Sequence, residues 1–187
     1  MKCSSYIATS LDGFIAKTDG SLDWLDQANA TVPEGEDCGY TQYMASVDVI
    51  VMGRKTFETV LSFGSWPYSK PVYVLSRQWS GLPASAPATA QLWSGPPAAL
   101  QTHLKKNGVR GAYIDGGQLI QSFISAQLLD EITITRIPVL LGSGIALFGP
   151  LPAGRTALCT QHLHTRSYDF GFVQSHYALR YTQEPQA

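Results

Sequence analysis

The chain has 187 residues, of which 44% are hydrophobic and 14% charged, and its formal net charge is -1. This length suits a single domain over residues 1–187, and the near-neutral charge without a charged tail argues against a nucleic-acid or anionic-membrane partner. The apolar runs are too short to span a bilayer, and three widely spaced cysteines without a CxxC pair or a leader sequence favour a cytoplasmic protein.

Short runs rich in β-branched and aromatic residues predict strands. The runs cover residues 3–9, 47–52, 72–76, 111–115 and 131–137, and they are mostly apolar without alternation. Strands covered on both faces have this pattern. Helices are predicted between them, at 40–45, 55–61, 97–107 and 118–127. This alternation predicts a three-layer α/β fold with a mostly parallel central sheet.

Two further segments complete the pattern. Residues 81–97 are rich in proline, and we interpret them as a long surface connection that could include a short strand at 90–93, not as a domain boundary. Residues 156–181 alternate in polarity with an interruption at 169–171. That alternation predicts a C-terminal antiparallel hairpin that closes the sheet.

Polar and glycine-containing sequences follow three of the predicted strands. They are Gly53-Arg54-Lys55-Thr56, Ser76-Arg77 and Asp115-Gly116-Gly117. Parallel strands place their carboxyl ends at one edge, where ligands of open α/β sheets bind. Backbone N–H groups at helix starts, glycine and arginine all suit phosphate groups. A helix cap or a tight turn explains each segment alone, but the three in this order predict a nucleotide site.

Two common phosphate-binding motifs are absent from the sequence. There is no GxxxxGK[ST] loop, and the GxGxx candidate at residues 142–147 follows Pro138 late in the chain and lacks the third glycine. The site therefore follows neither the P-loop nor the standard Rossmann pattern.

The ordered segments resemble those of the dihydrofolate reductase-like superfamily. The matching segments are residues 7–15 (IATSLDGFI), 52–56 (MGRKT), 75–77 (LSR) and 114–117 (IDGG). Within the superfamily, residues 10–16 (SLDGFIA), 116–123 (GGQLIQSF) and above all 129–144 (LDEITITRIPVLLGSG) resemble the branch containing the C-terminal reductase domain of the riboflavin biosynthesis deaminase-reductase. The resemblance implies a dihydrofolate reductase-like fold and NADPH as the cofactor.

The resemblance also implies roles for individual residues. Ala8 and Ile15 match positions whose backbone flanks the nicotinamide. The implied phosphate contacts are Gly53, Arg54, Lys55 and Thr56, then Ser76 and Arg77 at the 2′-phosphate, and Gly116 and Gly117 followed by Gln118 and Leu119 at the pyrophosphate. Two arginines near a 2′-phosphate favour NADP over NAD.

Several positions depart from the dihydrofolate reductase pattern. Asp115 stands where those reductases have the first glycine of a triplet, and a carboxylate beside a pyrophosphate repels it unless it turns away or accepts hydrogen bonds. Counting from Trp24, the acid that supports pterin protonation falls near Asn29, and the arginine that grips the folate carboxylate falls near Lys70. Folate is therefore not the expected substrate.

Asp12, Asp23 and Trp24 are the candidate catalytic residues, because they flank the loop expected to cover the nicotinamide; Asp26 lies in the same region. Asp12 with Gly13 equally suits a turn, and Asp23 equally suits a helix cap. Trp24 suits either stacking on a substrate ring or core packing. Water can also supply the proton, so the sequence leaves the donor open.

Two other features concern metals and partners. His162 and His164 lie at i, i+2 on one face of the predicted hairpin, but no third ligand is near, so we expect an exposed face and no metal site. Residues 140–148 are apolar and glycine-rich, which predicts a partner surface, a lid over substrate or a loop packed on its own core. Because related reductases often pair, the resemblance implies a homodimer.

The leading interpretation is an NADPH-dependent reductase acting on a small planar or heteroaromatic substrate. Dihydrofolate or pterin reduction is an alternative weakened by the departures above. Reduction of a ribosylamino-pyrimidine is another, although no zinc deaminase motif precedes the domain, so we do not expect the bifunctional arrangement. A nucleotide-binding module without catalysis is the alternative outside enzymes, since the sequence places no acid firmly.

Overall fold

The computed structural model describes residues 1–151 and 157–181, which form ten strands and five helices. The strands are β1 (Lys2–Thr9), β2 (Phe14–Ala16), β3 (Val49–Gly53), β4 (Val72–Leu75), β5 (Ala90–Trp93), β6 (Gly111–Asp115), β7 (Glu131–Arg136), β8 (Ile145–Ala146), β9 (Cys159–Ser167) and β10 (Val173–Arg180). The helices are α1 (Asp23–Asn29), α2 (Tyr40–Ala45), α3 (Arg54–Ser62), α4 (Pro97–Lys106) and α5 (Gly117–Ser125). No helix in these ranges is long and apolar enough to cross a membrane.

Eight strands form one sheet in the order β5-β4-β3-β6-β1-β7-β10-β9. The strands from β5 to β7 are parallel, whereas β10 is antiparallel to both β7 and β9. Strands β2 and β8 form a separate antiparallel pair. The predicted mostly parallel sheet with an antiparallel hairpin at one end is therefore confirmed.

Apolar side chains cover both faces of the central strands. Ile50, Val51 and Met52 of β3 are fully buried, and successive side chains of a strand point to opposite faces. Val51 packs in the cluster that contains Phe123 of α5, whereas Ile50 and Met52 pack with Phe57 of α3. Helices thus cover the sheet on both sides, which confirms the predicted three-layer arrangement.

The predicted helices and parallel strands are confirmed with boundaries shifted by at most two residues, and the short strand at 90–93 is β5. The sequence pattern did not predict α1, β2 or β8, since each is short and lacks a regular apolar repeat. The predicted start of the C-terminal hairpin, Thr156, lies outside the described residues.

The prediction that His162 and His164 share one strand face is wrong, because the hairpin contains a β-bulge. His164 pairs with His176, but His162 pairs with Tyr177, so Leu163 is an extra residue in β9. Residues directly opposite each other share a face, and neighbours in a strand do not. The bulge therefore sends the two histidines to different faces, each against an aromatic ring of β10.

Candidate active site at the carboxyl edge of the sheet

Two helices start where β3 and β6 end side by side. Strand β3 ends at Gly53 and α3 begins at Arg54, while β6 ends at Asp115 and α5 begins at Gly117. Neither start has a side-chain cap, and the first N–H groups of a helix have no partner within it. Both starts therefore present backbone donors and the positive end of a helix dipole to an anion.

Gly116 is the point where the two helix starts approach each other. Its φ is +92°, and a Cβ on it would lie 2.2 Å from Thr56 Oγ1. A Cβ on Gly117 would lie 2.7 Å from Ile15 Cδ1. Glycine is required at Gly116 both by the backbone conformation and by this close approach. The fold thus brings Ile15, Thr56 and the glycine pair together, as expected from the sequence.

The predicted cationic residues lie at the same edge. Gly53 of β3 pairs with Leu75 of β4, so the residues that follow each strand are neighbours. Among them, Lys55 and Arg77 are exposed. Two exposed cations therefore lie at the edge where α3 starts, which suits an anionic ligand.

Two members of the predicted phosphate site already have contacts in the protein. The Arg54 guanidinium lies 3.5 Å from Glu58 and 6.0 Å from the centre of the Trp79 ring. The Ser76 hydroxyl accepts the N–H groups of Gln78 and Trp79, at 3.2 Å each. Ser76 therefore shapes the turn after β4 as well as facing the edge.

Ala8 and Ile15 are connected by a tight turn. The Ser10 N–H donates to the Phe14 carbonyl at 2.8 Å, and the Ser10 hydroxyl accepts the Phe14 N–H at 2.9 Å. This turn folds β2 back so that Ile15 lies over Gly117. Ala8 lines a cavity at the end of β1.

The residues after the glycine pair differ in orientation. Gln118 is exposed, whereas the Leu119 side chain is only 7% exposed and packs in the core. The Leu119 N–H donates to the Gly116 carbonyl at 3.0 Å. Leu119 therefore supports the helix start from behind, and its side chain does not face the edge.

A cavity of about 570 Å³ opens beside Ala8. Its floor is the sheet, through Tyr6 and Ala8 of β1, Thr135 of β7 and the following Ile137. Its walls come from α1, from residues 32–40 and from the hairpin; they are Leu25, Asn29, Val32, Pro33, Glu36, Asp37, Cys38, Tyr40 and Phe172. The volume is in the range of small-molecule sites.

A polar network holds the cavity wall on the sheet. The Tyr6 hydroxyl donates to the Cys38 carbonyl at 2.5 Å, and the Gln174 amide donates to the Tyr6 hydroxyl at 2.7 Å and to Thr135 Oγ1 at 2.9 Å. Cys38 has a φ of +55°, an uncommon conformation for a residue other than glycine. Such conformations persist where surrounding contacts fix them, and they cluster at functional sites.

Asp12 is held in a loop contact. Its carboxylate accepts hydrogen bonds from the Ser10 hydroxyl at 2.6 Å, from the Gly142 N–H at 2.7 Å and from the Leu141 N–H at 3.2 Å. These bonds lower the pKa of Asp12. Asp12 is therefore a carboxylate that ties the loop after β1 to the loop after β7.

Asp23 and Trp24 lie at the start of α1. Asp23 forms an ion pair with Lys17 at 2.7 Å, and the hydrogen bond from Lys17 lowers its pKa. Trp24 is 4% exposed and packs with Ile137 and Phe172, which line the cavity beside Ala8, but Trp24 is not itself a lining residue. Its buried indole N–H has no hydrogen-bond partner among the described residues.

The two positions compared with dihydrofolate reductases have different surroundings. Asn29 lines the cavity, so an amide stands at this wall. Lys70 instead donates a hydrogen bond to the Val47 carbonyl, at the opposite end of β3. Asn29 is uncharged and Lys70 is bonded at the other end of β3, so neither position provides a cation for a substrate carboxylate in the cavity.

Asp115, at the end of β6, has an unusual environment. Burial raises its pKa from 3.8 to about 6, although contacts with Tyr113 and the Gly116 N–H partly oppose the shift. Burial and then the Asp115 charge raise the pKa of Tyr40, which lines the cavity. Asp115 therefore precedes the glycine pair and lies close enough to Tyr40 of the cavity wall to affect its ionisation.

Sequence reasoning missed the segment that closes the cavity. Glu36 and Asp37 lie before α2 in a run without regular periodicity, VPEGEDCGY, at residues 32–40. Acids interspersed with two glycines in that run were the available signal. Tyr6 was also missed, because it reads as an ordinary strand residue of β1.

Solved structures of related proteins share this architecture. A putative riboflavin biosynthesis protein from Shewanella sp. PV-4 superposes with a TM-score of 0.88 at 39% identity, covering 96% of this chain and 99% of that one. Acinetobacter baumannii RibD superposes with a TM-score of 0.69 at 18% identity, and this chain covers 58% of it. The domain therefore has the dihydrofolate reductase-like fold.

Sequence comparison defines the family. The chain is 41% identical over 151 residues to the uncharacterized protein YwjB of Bacillus subtilis (strain 168), a match that covers 78% of this chain and 82% of YwjB. Residues 94–172 match the RibD C-terminal domain. The chain belongs to the RibD C-terminal domain family.

Proposed function

We propose that this protein is an NADPH-dependent reductase that transfers a hydride to a small heteroaromatic or related ring. The observation that carries the proposal is the approach of two glycine-started helices at Gly116 and Thr56. The cavity that Ala8 lines lies at the same edge of the sheet. An anionic cofactor and a small substrate can therefore lie side by side.

The chain offers a defined set of groups to NADPH. The helix starts at residues 53–56 and 116–118 would hold the pyrophosphate through backbone donors. Ser76 and Arg77 would hold the 2′-phosphate, with the Arg54 and Lys55 charges nearby. The nicotinamide would lie against Ala8 and Ile15. Leu119 would position the glycine pair from the core.

The cofactor, when bound, supplies the hydride, and the chain's residues orient the substrate and govern the proton. Asp12 and Asp23 have lowered pKa values and hold loop contacts, so we assign them to shaping the mouth of the site. Trp24 would pack α1 against the cavity. Burial raises the pKa of Asp115 to about 6, and its charge acts on Tyr40 of the cavity wall, so Asp115 is the proposed proton reservoir.

Cofactor selectivity tests the proposal. NADPH and NADH are titrated against the wild type and Arg77→Ala by nucleotide fluorescence. We expect Arg77→Ala to weaken NADPH by about tenfold and NADH little, because a charge-assisted phosphate contact is lost. Arg110→Ala, an exposed arginine before β6, is the matched control. Equal losses for both nucleotides would contradict the role of Arg77, and absence of binding would refute the proposal.

Reduction of a ribosylamino-pyrimidine is the second candidate, favoured by the family membership and by the similarity to the putative riboflavin biosynthesis protein of Shewanella. Oxidation of NADPH followed with pterins, pyrimidines and quinones separates this candidate from dihydrofolate or pterin reduction. Tight NADPH binding without turnover on any of them would favour a non-catalytic binding module.

A cytoplasmic homodimer is the remaining part of the proposal. In the apolar segment 140–148, which includes β8, Leu140 and Phe148 are 70% and 51% exposed, whereas Leu147 is buried in the core. The loop is thus packed at one point and apolar at its surface, as at partner interfaces. Sedimentation analysis should give a dimer mass, and a monomer at micromolar concentration would contradict it.

A further inference from the structure

The cavity beside Ala8 suits a flat ring. Tyr40 and Phe172 contribute aromatic surface to its walls, and Val32 and Pro33 contribute aliphatic surface. Its volume of about 570 Å³ holds a ligand of one or two fused rings with small substituents. Aromatic walls favour such ligands because rings stack face to face or edge to face.

The charged side chains that line the cavity in the described residues are both acidic. They are Glu36, which is partly buried, and Asp37, at the exposed rim. Glu36 accepts the Cys38 N–H at 2.7 Å and the Arg166 guanidinium at 3.3 Å. Both its oxygens are therefore fixed by the protein while it faces the cavity.

Asp37 is also fixed as a carboxylate. It accepts the N–H groups of Thr41 and Gly39, each at 2.8 Å, across the start of α2. A hydrogen bond from the Thr41 side chain, together with these backbone hydrogen bonds, lowers the pKa of Asp37. The rim of the cavity therefore carries a negative charge at neutral pH.

The sheet floor adds a neutral acceptor. The Tyr6 hydroxyl gives its proton to the Cys38 carbonyl and accepts from the Gln174 amide. A hydroxyl has one donor and two acceptor sites, so one lone pair of Tyr6 is left for a ligand. Floor and rim together offer acceptors, which favour ligands that donate hydrogen bonds, although the Asn29 amide in the wall can donate as well as accept.

Arg166, a cation that contacts Glu36 of this wall, is already engaged. It contacts Glu36 at 3.3 Å and lies 4.4 Å over the Tyr168 ring. No Lys, Arg or His lines the cavity within residues 1–151 and 157–181. A phosphate or carboxylate in the cavity would face the negative charges of Glu36 and Asp37, with no cation among the described lining residues to pair with it. Such contacts are strongly unfavourable.

We infer that the cavity takes a planar heteroaromatic ring that bears N–H or amino donors and carries no phosphate or carboxylate. The inference rests on the proposed reductase function and deepens it by naming the substrate class. A ribosylamino-pyrimidine is thus accepted as the nucleoside in preference to its 5′-phosphate. Unconjugated pterins are accepted in preference to folates. The charges of Glu36 and Asp37 exclude the anionic forms.

Two matched pairs of compounds test the inference. The first is 5-amino-6-(ribosylamino)uracil and its 5′-phosphate, and the second is 6-hydroxymethylpterin and its phosphate ester. Calorimetric titration of the full chain without cofactor measures binding independently of hydride transfer. We expect the unphosphorylated member of at least one pair to bind about tenfold tighter or better than its phosphate. Raising the salt concentration to about 0.5 M should narrow that gap by screening.

Variants of Glu36 and Asp37 test whether these two acids cause the affinity difference between each compound and its phosphate. Glu36→Gln and Asp37→Asn should each narrow it several-fold, while Glu34→Gln, an exposed acid outside the cavity lining, should leave it unchanged. Equal or tighter binding of the phosphates overturns the inference, as does failure of both unphosphorylated compounds to bind. The inference is also overturned if Glu36→Gln and Asp37→Asn change the affinity difference between a compound and its phosphate no more than Glu34→Gln does. Failure of NADPH to bind in its separate titration refutes the reductase proposal alone.

Discussion

The helix starts of α3 and α5 and the cavity beside Ala8 share one edge of the sheet, yet they present opposite chemistry. The helix starts offer backbone N–H groups, with the exposed cations Lys55 and Arg77 nearby. The cavity offers acceptors, including the Glu36 carboxylate. The charges of the two regions would therefore favour an anionic ligand at the helix starts and a non-anionic ligand in the cavity.

The two regions also differ in how they are built. The helix starts depend on local backbone geometry and on the approach of Gly116 to Thr56. The cavity depends on contacts between distant segments, such as the Gln174 amide with Tyr6. A single added methyl group should therefore damage the first region, whereas the second should respond mainly to changes of charge.

The largest expected effect is that of Gly116→Ala on NADPH binding. The new Cβ would lie 2.2 Å from Thr56 Oγ1 at a φ of +92°, so the Thr56 side chain must turn away or the two helix starts must move apart. We expect NADPH affinity to fall by about a hundredfold, a loss of about 2.7 kcal/mol. Fluorescence titration of NADPH measures the change.

Gly108→Ala is the matched control for backbone strain. Gly108 has a φ of +76°, but a Cβ on it meets nothing within 4 Å. This variant should lose about 1 kcal/mol of stability and keep its NADPH affinity. If both variants bind NADPH like the wild type, the contrast between the two regions fails.

The parts of the molecule that could be predicted have local signals. The buried run of β3 shows in consecutive apolar residues, and the glycine pair at 116–117 follows a strand and precedes a helix. The order of the strand ends then indicates that Gly53 and Gly116 lie at one edge. Short-range patterns were sufficient for the helix starts because their geometry is set by neighbouring residues.

The cavity could not be predicted, because its residues meet only through the fold. Cys38 reaches Tyr6 and Gln174 by hydrogen bonds over long sequence separations. The sequence left two roles for Trp24, stacking on a substrate ring or packing in the core. Its place in the core depends on Phe172 of the distant hairpin. The bulge at Leu163 likewise has no signal in the alternation of β9.

An effect on stability, and not on NADPH affinity, is expected for Asp115→Asn, which sharpens the boundary between the two regions. The folded-state pKa of about 6 exceeds the ordinary value of 3.8, so between these pH values the unfolded chain releases a proton that the folded chain keeps. The free energy of unfolding therefore falls as pH rises through this window, and the penalty is constant above it. Asp115→Asn should raise stability at pH 7 by up to about 3 kcal/mol.

Chemical denaturation at several pH values checks this expectation. The stabilisation by Asp115→Asn should vanish near pH 3.8 and reach its full size above the raised pKa of about 6. A variant that destabilises the protein at pH 7 would indicate that the Asp115 carboxylate is a favourable hydrogen-bond acceptor in the folded state.

Amide hydrogen exchange with and without NADPH tests the central claim most directly. The account predicts slower exchange, on adding NADPH, at residues 53–56 and 116–118, where backbone N–H groups would bind phosphate oxygens. Exchange in residues 32–38 of the cavity wall should change far less. Protection confined to the cavity wall, or no protection at either helix start, would contradict the assignment of this edge to the cofactor.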